Sequence, residues 1–287
     1  MASRTNAAVA MARSHQVDQV RQAAFVQTAL AALWDETLDP NDITRSFLTF
    51  REKAVALITT GRLLSERKAT DYYLKLLASK GLDASDLADF APDIFPDTAI
   101  KASLSGATGK HLNKAYFLNQ RDLPNSAVLA LAKADMLGSA KRQILNASRS
   151  HLVALSRHHR KIKGWARVSD GAPCSFCAML IARGPVYAED TAGFDAHDRC
   201  GCSVRLVTYD EPDDGWTDDA RRYRDAYAAD QRAVMRSYFE ERGEPVPDRY
   251  QARPGEESFA EIMRKRATDK QRARRKRDRA RQLQLAA

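Results

Sequence analysis

The sequence predicts a mainly α-helical protein with a small α+β, cysteine-rich module of the zinc-binding type. Two observations predict this fold class. In the first half of the chain, apolar residues recur at steps of three and four, which is the spacing of one face of an α-helix. All four cysteines, by contrast, lie between Cys174 and Cys202, in a segment that contains glycines and prolines and has little helical periodicity.

Two long helices are predicted in the first half. Asp42 has the side chain of a good N-cap, and Gly81 is a natural stop at the other end. Between them one apolar stripe extends along the helix: Phe47, Phe50, Ala54, Leu57, Gly61 and Leu64. After a break at two prolines and a weaker segment with two glycines, the stretch from Val128 to Arg160 again has helical composition. We interpret these stripes as intramolecular core, with packing against a partner as the alternative.

The second half is predicted to contain a strand and two further helices. Ser203 to Tyr209 is rich in β-branched residues, which favours a strand. Thr217 precedes a helix that ends at Gly243, and a capping box of Ser258 and Glu261 begins a last, basic helix. The predicted organisation is therefore a helical domain at 1–160, a cysteine-rich module at 161–212, a helix and proline-rich linker at 213–256, and a basic helix or tail at 257–287.

The positive charge is concentrated near the C-terminus. The chain has 46 Lys+Arg against 37 Asp+Glu, a formal net charge of +9. Eleven of the basic residues lie in one short stretch: Arg264, Lys265, Arg266, Lys270, Arg272, Arg274, Arg275, Lys276, Arg277, Arg279 and Arg281. Such a run cannot pack into a core, so we expect an exposed tail that binds nucleic acid through phosphates, without sequence preference and with steep salt dependence. A solvated helix without a ligand, or binding to an acidic protein surface, stays open.

The sequence argues against several classes of protein. No apolar run approaches the ~20 residues of a membrane helix. Ala7 to Ala12 is too short for a signal peptide, so we expect a reducing cytoplasm, in which disulfides are rare. Gly106 to His111 superficially resembles a phosphate loop, but Leu104 and His111 stand where that motif needs glycine and serine or threonine.

The cysteine segment is the most specific feature of the sequence. It contains Cys174-x-x-Cys177 followed by His197-x-x-Cys200-x-Cys202. Two close pairs of soft ligands separated by a loop are typical of a tetrahedral zinc site. Five candidates compete for four positions, and we favour the four thiolates, with His197 as a hydrogen-bond donor to a ligand or as a replacement for one cysteine. Two disulfides or four unconnected thiols are the alternatives.

A structural zinc is favoured over a catalytic one. A catalytic zinc keeps an open position beside an acid or base. Pro173 and the two cysteines after it imitate half of the nucleobase deaminase signature, but no upstream histidine has the glutamate that this chemistry needs two places later. A serine protease triad stays open, because such triads are recognised in space rather than in sequence.

The cysteine segment, with Trp165, Asp170 and Gly184 around the paired motifs, resembles the Mu F-like minor head proteins of tailed bacteriophages. The resemblance covers roughly 147–207. That family commonly has proline after the histidine and arginine between the last two cysteines, where this chain has Asp198 and Gly201.

The resemblance implies a head-morphogenesis protein of the virion, made in the host cytoplasm and associated with the portal vertex inside the capsid. Its expected partners are the portal protein, scaffold or major capsid protein, which the helical domain would contact, and packaged DNA, which the tail would contact. No catalytic residues carry over. Related genes are sometimes described as capsid maturation proteases, so that enzyme is one alternative. A zinc-containing DNA-binding protein is the other.

Overall fold

The computed structural model describes residues 2–85, 87, 90, 95–117, 125–171, 173–187, 193–194 and 196–246. The chain forms two compact units, 1–223 and 224–287. In chain order the elements are α1 Ala2–Thr37, α2 Ile43–Ser79, α3 Asp97–Phe117, α4 Asn125–His158, β1 Ile162–Val168, α5 Ser175–Ile181, β2 Ser203–Thr208 and α6 Asp218–Glu240. The predicted fold class, mainly helical with a small mixed module, is confirmed.

Helix α2 follows the sequence prediction at both ends. The Asp42 carboxylate accepts a hydrogen bond from Arg45 N at 3.3 Å, and Gly81 adopts φ +64° just beyond the last turn. The predicted stripe is buried or half-buried as far as Gly61, but Leu64 is exposed. The buried position here is occupied by Ser65, because its hydroxyl donates a hydrogen bond to the side chain of Gln19 on α1.

Helix α1 has bounds that no sequence pattern predicts. Its buried face consists largely of alanine and of polar side chains. Gln19 donates to Ser65 O at 2.9 Å and Gln22 donates to Gly61 O at 2.8 Å, so α1 binds the main chain of α2 through glutamines. These bonds give the amide nitrogens of both glutamines partners that an apolar interface would not supply.

Among the described residues of the first unit, two large apolar clusters form the core. The first joins the four long helices, and Trp34 packs edge-on against Phe50 there with ring centroids 5.0 Å apart. The second joins α1, α2 and α4 to both strands, and Trp165 and Leu206 are among its members. The small sheet is therefore packed against the helices.

The strands β1 and β2 form an antiparallel pair with Trp165 opposite Leu206 and Val168 opposite Ser203. The sequence predicts β2 but not β1. Val168, the last residue of β1, pairs with Ser203, the first residue of β2, so the cysteine segment leaves and re-enters the sheet at the same end of the strand pair. The sheet thus closes the base of the loop that carries the cysteines.

Some of the remaining predicted elements lie within the described residues, and others lie outside them. Thr217 Oγ1 accepts a hydrogen bond from Ala220 N at 3.2 Å, which confirms the cap of α6, and Gly243 adopts φ +67° after the end of that helix. Gly106 to His111 is helical within α3, so it forms no phosphate loop. The capping box at Ser258 and the basic residues 264–281 lie outside the described residues. None of the described helices has an apolar stretch long enough to cross a membrane.

Candidate metal centre

The first cysteine pair is positioned by the start of α5. Cys174 is the N-cap residue of this helix, and its Sγ accepts a hydrogen bond from Cys177 N at 3.4 Å. Because Cys177 lies in the first turn of the helix, the two-residue spacing brings both sulfur atoms to the same side of the chain.

The second pair follows a tight turn that leads into β2. Cys200 N donates to His197 O at 3.2 Å, and Arg199 between them adopts φ +70°. A Cβ atom at Gly201 would lie 2.5 Å from Asp170 Oδ2, so a larger residue fits here only if Asp170 moves. The close approach of Asp170 therefore explains the glycine between the last two cysteines.

The structure places the five predicted ligand residues in two overlapping groups. The ligand atoms of Cys174, Cys177 and His197 lie within 4.8 Å of one another, and so do those of Cys177, Cys200 and Cys202. All four cysteines are free thiols. The Sγ atoms of Cys177 and Cys200 are 3.5 Å apart, close to the roughly 3.8 Å expected for two thiolates on one tetrahedral zinc ion. The arrangement can hold a metal ion.

The two groups differ in exposure and in acidity. Cys177, Cys200 and Cys202 are buried, whereas Cys174 and His197 are exposed. Hydrogen bonds with Cys177 and then Cys202 lower the pKa of the Cys200 thiol, whereas hydrogen bonds with Cys200 and then Cys202 raise the pKa of the Cys177 thiol, so these contacts favour a thiolate at Cys200. Partial burial opposes ionisation of Cys174, but hydrogen bonds from Cys177 N and His197 outweigh it and lower the pKa of that thiol.

His197 is held between two acceptors. Its Nδ1 lies 2.7 Å from Asp198 O and its Nε2 lies 2.8 Å from Cys174 Sγ. The Asp198 carbonyl contributes most to raising the pKa of His197, and Cys174 adds to the effect. The imidazole is therefore oriented towards the sulfur of Cys174.

Side chains from two distant helices bind the main chain of the second cysteine pair. Arg149 of α4 donates from Nε to Cys202 O at 2.9 Å and from Nη2 to Cys200 O at 2.9 Å. Gln16 of α1 donates to Gly201 O at 2.8 Å. Burial lowers the pKa of Arg149 to about 10, so its guanidinium stays charged at neutral pH. Three successive carbonyls of the site are thus fixed by the helical core.

A phenylalanine covers the cluster from the loop side. Phe194 packs against the buried cysteines, and the guanidinium carbon of Arg167 lies 3.7 Å from the centre of its ring. Arg167 Nη1 is 3.9 Å from Cys177 Sγ, which places a second cation beside the sulfur atoms.

Ion pairs hold the outer turn against α4. Arg142 Nε lies 2.7 Å from Asp198 Oδ1, and Arg199 Nη2 lies 3.0 Å from Asp135 Oδ1. No sequence pattern predicts any of these supporting residues. No spacing rule connects Arg149 to cysteines some fifty positions later.

Comparison with known proteins identifies the family. A family model described as VG15 protein matches residues 3–230, which include the cysteine segment and the whole of helices α2 to α5. The chain belongs to the VG15 protein family. Residues of this VG15 protein are also 35% identical, over 80 residues, to the Gene 15 protein of Mycobacterium phage D29.

The match to the D29 protein is short. It covers 26% of this VG15 protein and 27% of the relative, so the chain spans about a quarter of the curated relative it matches. No solved structure matches the chain. Together the family and the relative support a bacteriophage protein, which confirms at this coarser level what the cysteine motifs indicated.

Proposed function

We propose that this VG15 protein is a minor capsid protein of the Mu F-like type, which acts in head morphogenesis at the portal vertex. The observation that carries the proposal is the assembly of Cys174, Cys177, His197, Cys200 and Cys202 at one edge of the sheet in a bacteriophage family protein. The long helices α1 to α4 supply a framework with apolar side chains such as Phe25 left exposed, which suits docking to portal, scaffold or major capsid protein.

The proposed cofactor is a structural zinc ion held by the four thiolates. Two ligands of one tetrahedral zinc, a sulfur and a nitrogen, lie about 3.6 Å apart. His197 Nε2 is only 2.8 Å from Cys174 Sγ, which is a hydrogen-bonding distance and favours His197 as a donor to Cys174 rather than as a second ligand beside it. When bound, the ion would cross-link α5 to the start of β2. Three of the four sulfurs are buried, which fits a closed site.

Metal content and ligand identity can be tested together. Purified full-length protein should contain about one zinc per chain by elemental analysis, and its cobalt derivative should have the absorption spectrum of a tetrahedral tetrathiolate. Cys177→Ser should lose this spectrum, whereas His197→Gln should keep it. Loss of the spectrum in His197→Gln together with its retention in Cys174→Ser would show that the histidine is the ligand.

The location of this protein in the virion can be tested with purified particles. Mass spectrometry of purified virions should find this protein, and cross-linking should connect it to the portal protein. Removal of residues 264–287 should abolish weak, salt-sensitive and unselective DNA binding. Sequence-selective binding that survives this truncation would instead support a zinc-containing DNA-binding protein.

A capsid maturation protease is the second candidate, and one observation favours it. The exposed Cys174 lies 2.8 Å from His197, which is the geometry of a nucleophile and its base. Such an enzyme would cleave coat or scaffold precursor in co-expression, and the cleavage would disappear in Cys174→Ser but persist in His111→Gln. If no precursor is processed, the structural function stands.

A further inference from the structure

Arg149 is a buried cation in an unusual environment. The residue is 1% exposed, and its hydrogen bonds go to the carbonyls of Cys200 and Cys202 and to the Asn146 side chain. Across the described part of the chain, no carboxylate forms an ion pair with it. A buried charge is costly unless an opposite charge lies nearby, and carbonyl dipoles alone offset only part of that cost.

The buried cysteines are the groups that could supply the opposite charge. Arg149 Nη2 lies 2.9 Å from Cys200 O and 2.6 Å from Cys202 O, so its guanidinium is bound to the main chain of two of the buried cysteines. A zinc ion with four thiolates has a net charge of −2, and one with three thiolates and a histidine has −1. Either centre would place a net negative charge next to Arg149.

We propose that Arg149 is the built-in counter-ion of an anionic, thiolate-bound metal centre. This inference rests on the proposed metal site. Arg149 acts through the cysteines: it stabilises their thiolate form and fixes the turn at Gly201 against α4, so it is a positioning residue and not a ligand. Its counterpart Arg167, with Nη1 at 3.9 Å from Cys177 Sγ, lies on the β1 side of the same cluster.

The charge and the hydrogen bonds of Arg149 can be separated by two substitutions. Arg149→Gln removes the charge but keeps an amide donor, and Arg149→Lys keeps the charge but loses the planar fork. Residues that support metal ligands typically change metal affinity by about 10- to 100-fold when they are mutated. We expect Arg149→Gln to weaken zinc binding by that factor and Arg149→Lys to weaken it several-fold less.

Arg62 provides a matched control. It is also a buried arginine, it donates to a main-chain carbonyl (Gln143 O, 2.7 Å), and its guanidinium carbon lies 3.8 Å from the centre of the Phe95 ring. Because Arg62 belongs to the helical core and hydrogen-bonds no cysteine, Arg62→Gln should reduce stability while leaving zinc affinity unchanged.

The experiment measures zinc affinity of the full chain by competition with a chromophoric chelator, together with the spectrum of the cobalt derivative. In Arg149→Gln the thiolate-to-cobalt charge-transfer band should keep its intensity and move to longer wavelength, because thiolates without a counter-ion are easier to oxidise. A merely structural anchor would leave the band in place.

Two outcomes in the variants would overturn the proposal. One is wild-type affinity and an unmoved band in Arg149→Gln. Another is equal loss in the glutamine and lysine variants, which would assign the effect to hydrogen bonding. If the glutamine variant does not fold, the lysine variant decides: its charge-transfer band must stay at the wild-type position, and its zinc affinity must fall by less than about tenfold. Absence of zinc and cobalt binding in the wild-type protein would refute the metal site itself, and this result is distinct from the other two.

Discussion

Substituting Arg205 by methionine should strongly destabilise the first unit of the protein. Arg205 Nη1 on β2 lies 2.5 Å from Glu211 Oε2, and the two side chains are 1% and 0% exposed. Arg205 also donates to Gly215 O, while Glu211 Oε1 accepts from Thr208 N at 3.3 Å. Without the guanidinium, the Glu211 carboxylate stays buried with one main-chain hydrogen bond, and the Gly215 carbonyl loses its donor.

Breaking one partner of a buried ion pair typically costs about 3–5 kcal/mol, because the other charge is left uncompensated. For a unit of this size, 1 kcal/mol corresponds to roughly 2–4 °C in Tm. We therefore expect Arg205→Met to lower Tm by about 10 °C, and urea unfolding followed by circular dichroism should show the corresponding loss in the free energy of unfolding.

The double substitution Arg205→Met with Glu211→Leu tests where the destabilisation comes from. It separates the lost attraction between the two charges from the cost of leaving the Glu211 carboxylate buried without a partner. Replacing a whole buried pair with apolar side chains is often neutral, so the double variant should recover most of the stability. The exposed pair of Lys133 and Asp35, 2.6 Å apart, is the control, and Lys133→Met should cost less than about 1 kcal/mol. A single variant as stable as wild type, or a double variant no better than the single one, would refute the reasoning.

Three further predictions concern pH and glycines. Burial lowers the pKa of His15 to about 4, below its ordinary value of 6.5, so the stability that the neutral imidazole supports is present above pH 6.5 and is lost as the pH falls through about 4. His15→Gln should flatten this part of a stability-against-pH curve from urea unfolding by up to about 3 kcal/mol. Gly184→Ala should lower the free energy of unfolding by about 2 kcal/mol or more, because Gly184 has φ +69° and a Cβ there would lie 2.7 Å from the Trp216 ring. Gly106→Ala, in α3 with open space around it, should instead raise the free energy of unfolding by about 0.5–1 kcal/mol; a stabilised Gly184→Ala or a destabilised Gly106→Ala would contradict these expectations.

Elements with local signals could be predicted from the sequence. The cap at Asp42, the stop at Gly81 and the cap at Thr217 each depend on residues a few positions away, so the sequence contains the whole signal. Apolar periodicity located α2 for the same reason, and helical composition located α4. It failed at Leu64, where the buried position belongs to Ser65 because Gln19 of another helix supplies the partner.

Elements that depend on distant partners could not be predicted. Helix α1 packs through Gln16, Gln19 and Gln22, and glutamine on a helix face ordinarily indicates solvent. Strand β1 is covered on both faces, and Arg167 within it stacks on Phe194 of the cysteine loop. A charged residue in so short a segment interrupts the apolar pattern that would predict a strand. The burial of Arg167 depends on the ring of Phe194, which lies far along the chain.

The candidate site divides in the same way. Spacing alone selected the five ligand candidates, because close pairs of soft ligands on both sides of a loop are characteristic of metal sites. The contacts of Arg149 and Gln16 could not be predicted, because both side chains bind main-chain carbonyls. Every residue has a main-chain carbonyl, so the sequence of the cysteine segment does not indicate which ones are bound.

The geometry of the cysteine loop explains why a metal ion would matter to this fold. The loop is closed at its base by the pairing of Val168 with Ser203, and in the described chain Phe194 and Ala196 pack against the buried cysteines. Elsewhere the loop is anchored by the buried Ile181 and by Tyr187, whose ring stacks on Trp165 with centroids 4.3 Å apart, so a metal ion would add a cross-link between the two cysteine pairs to these contacts. The helical core around Phe50 and Ile144 does not depend on the loop, so loss of metal should open the loop and leave α1 to α4 folded. Hydrogen exchange with and without a chelator would show increased exchange confined to the region from Ser169 to Cys202, whereas increased exchange throughout α2 and α4 would mean that the loop and the helices unfold as one cooperative unit.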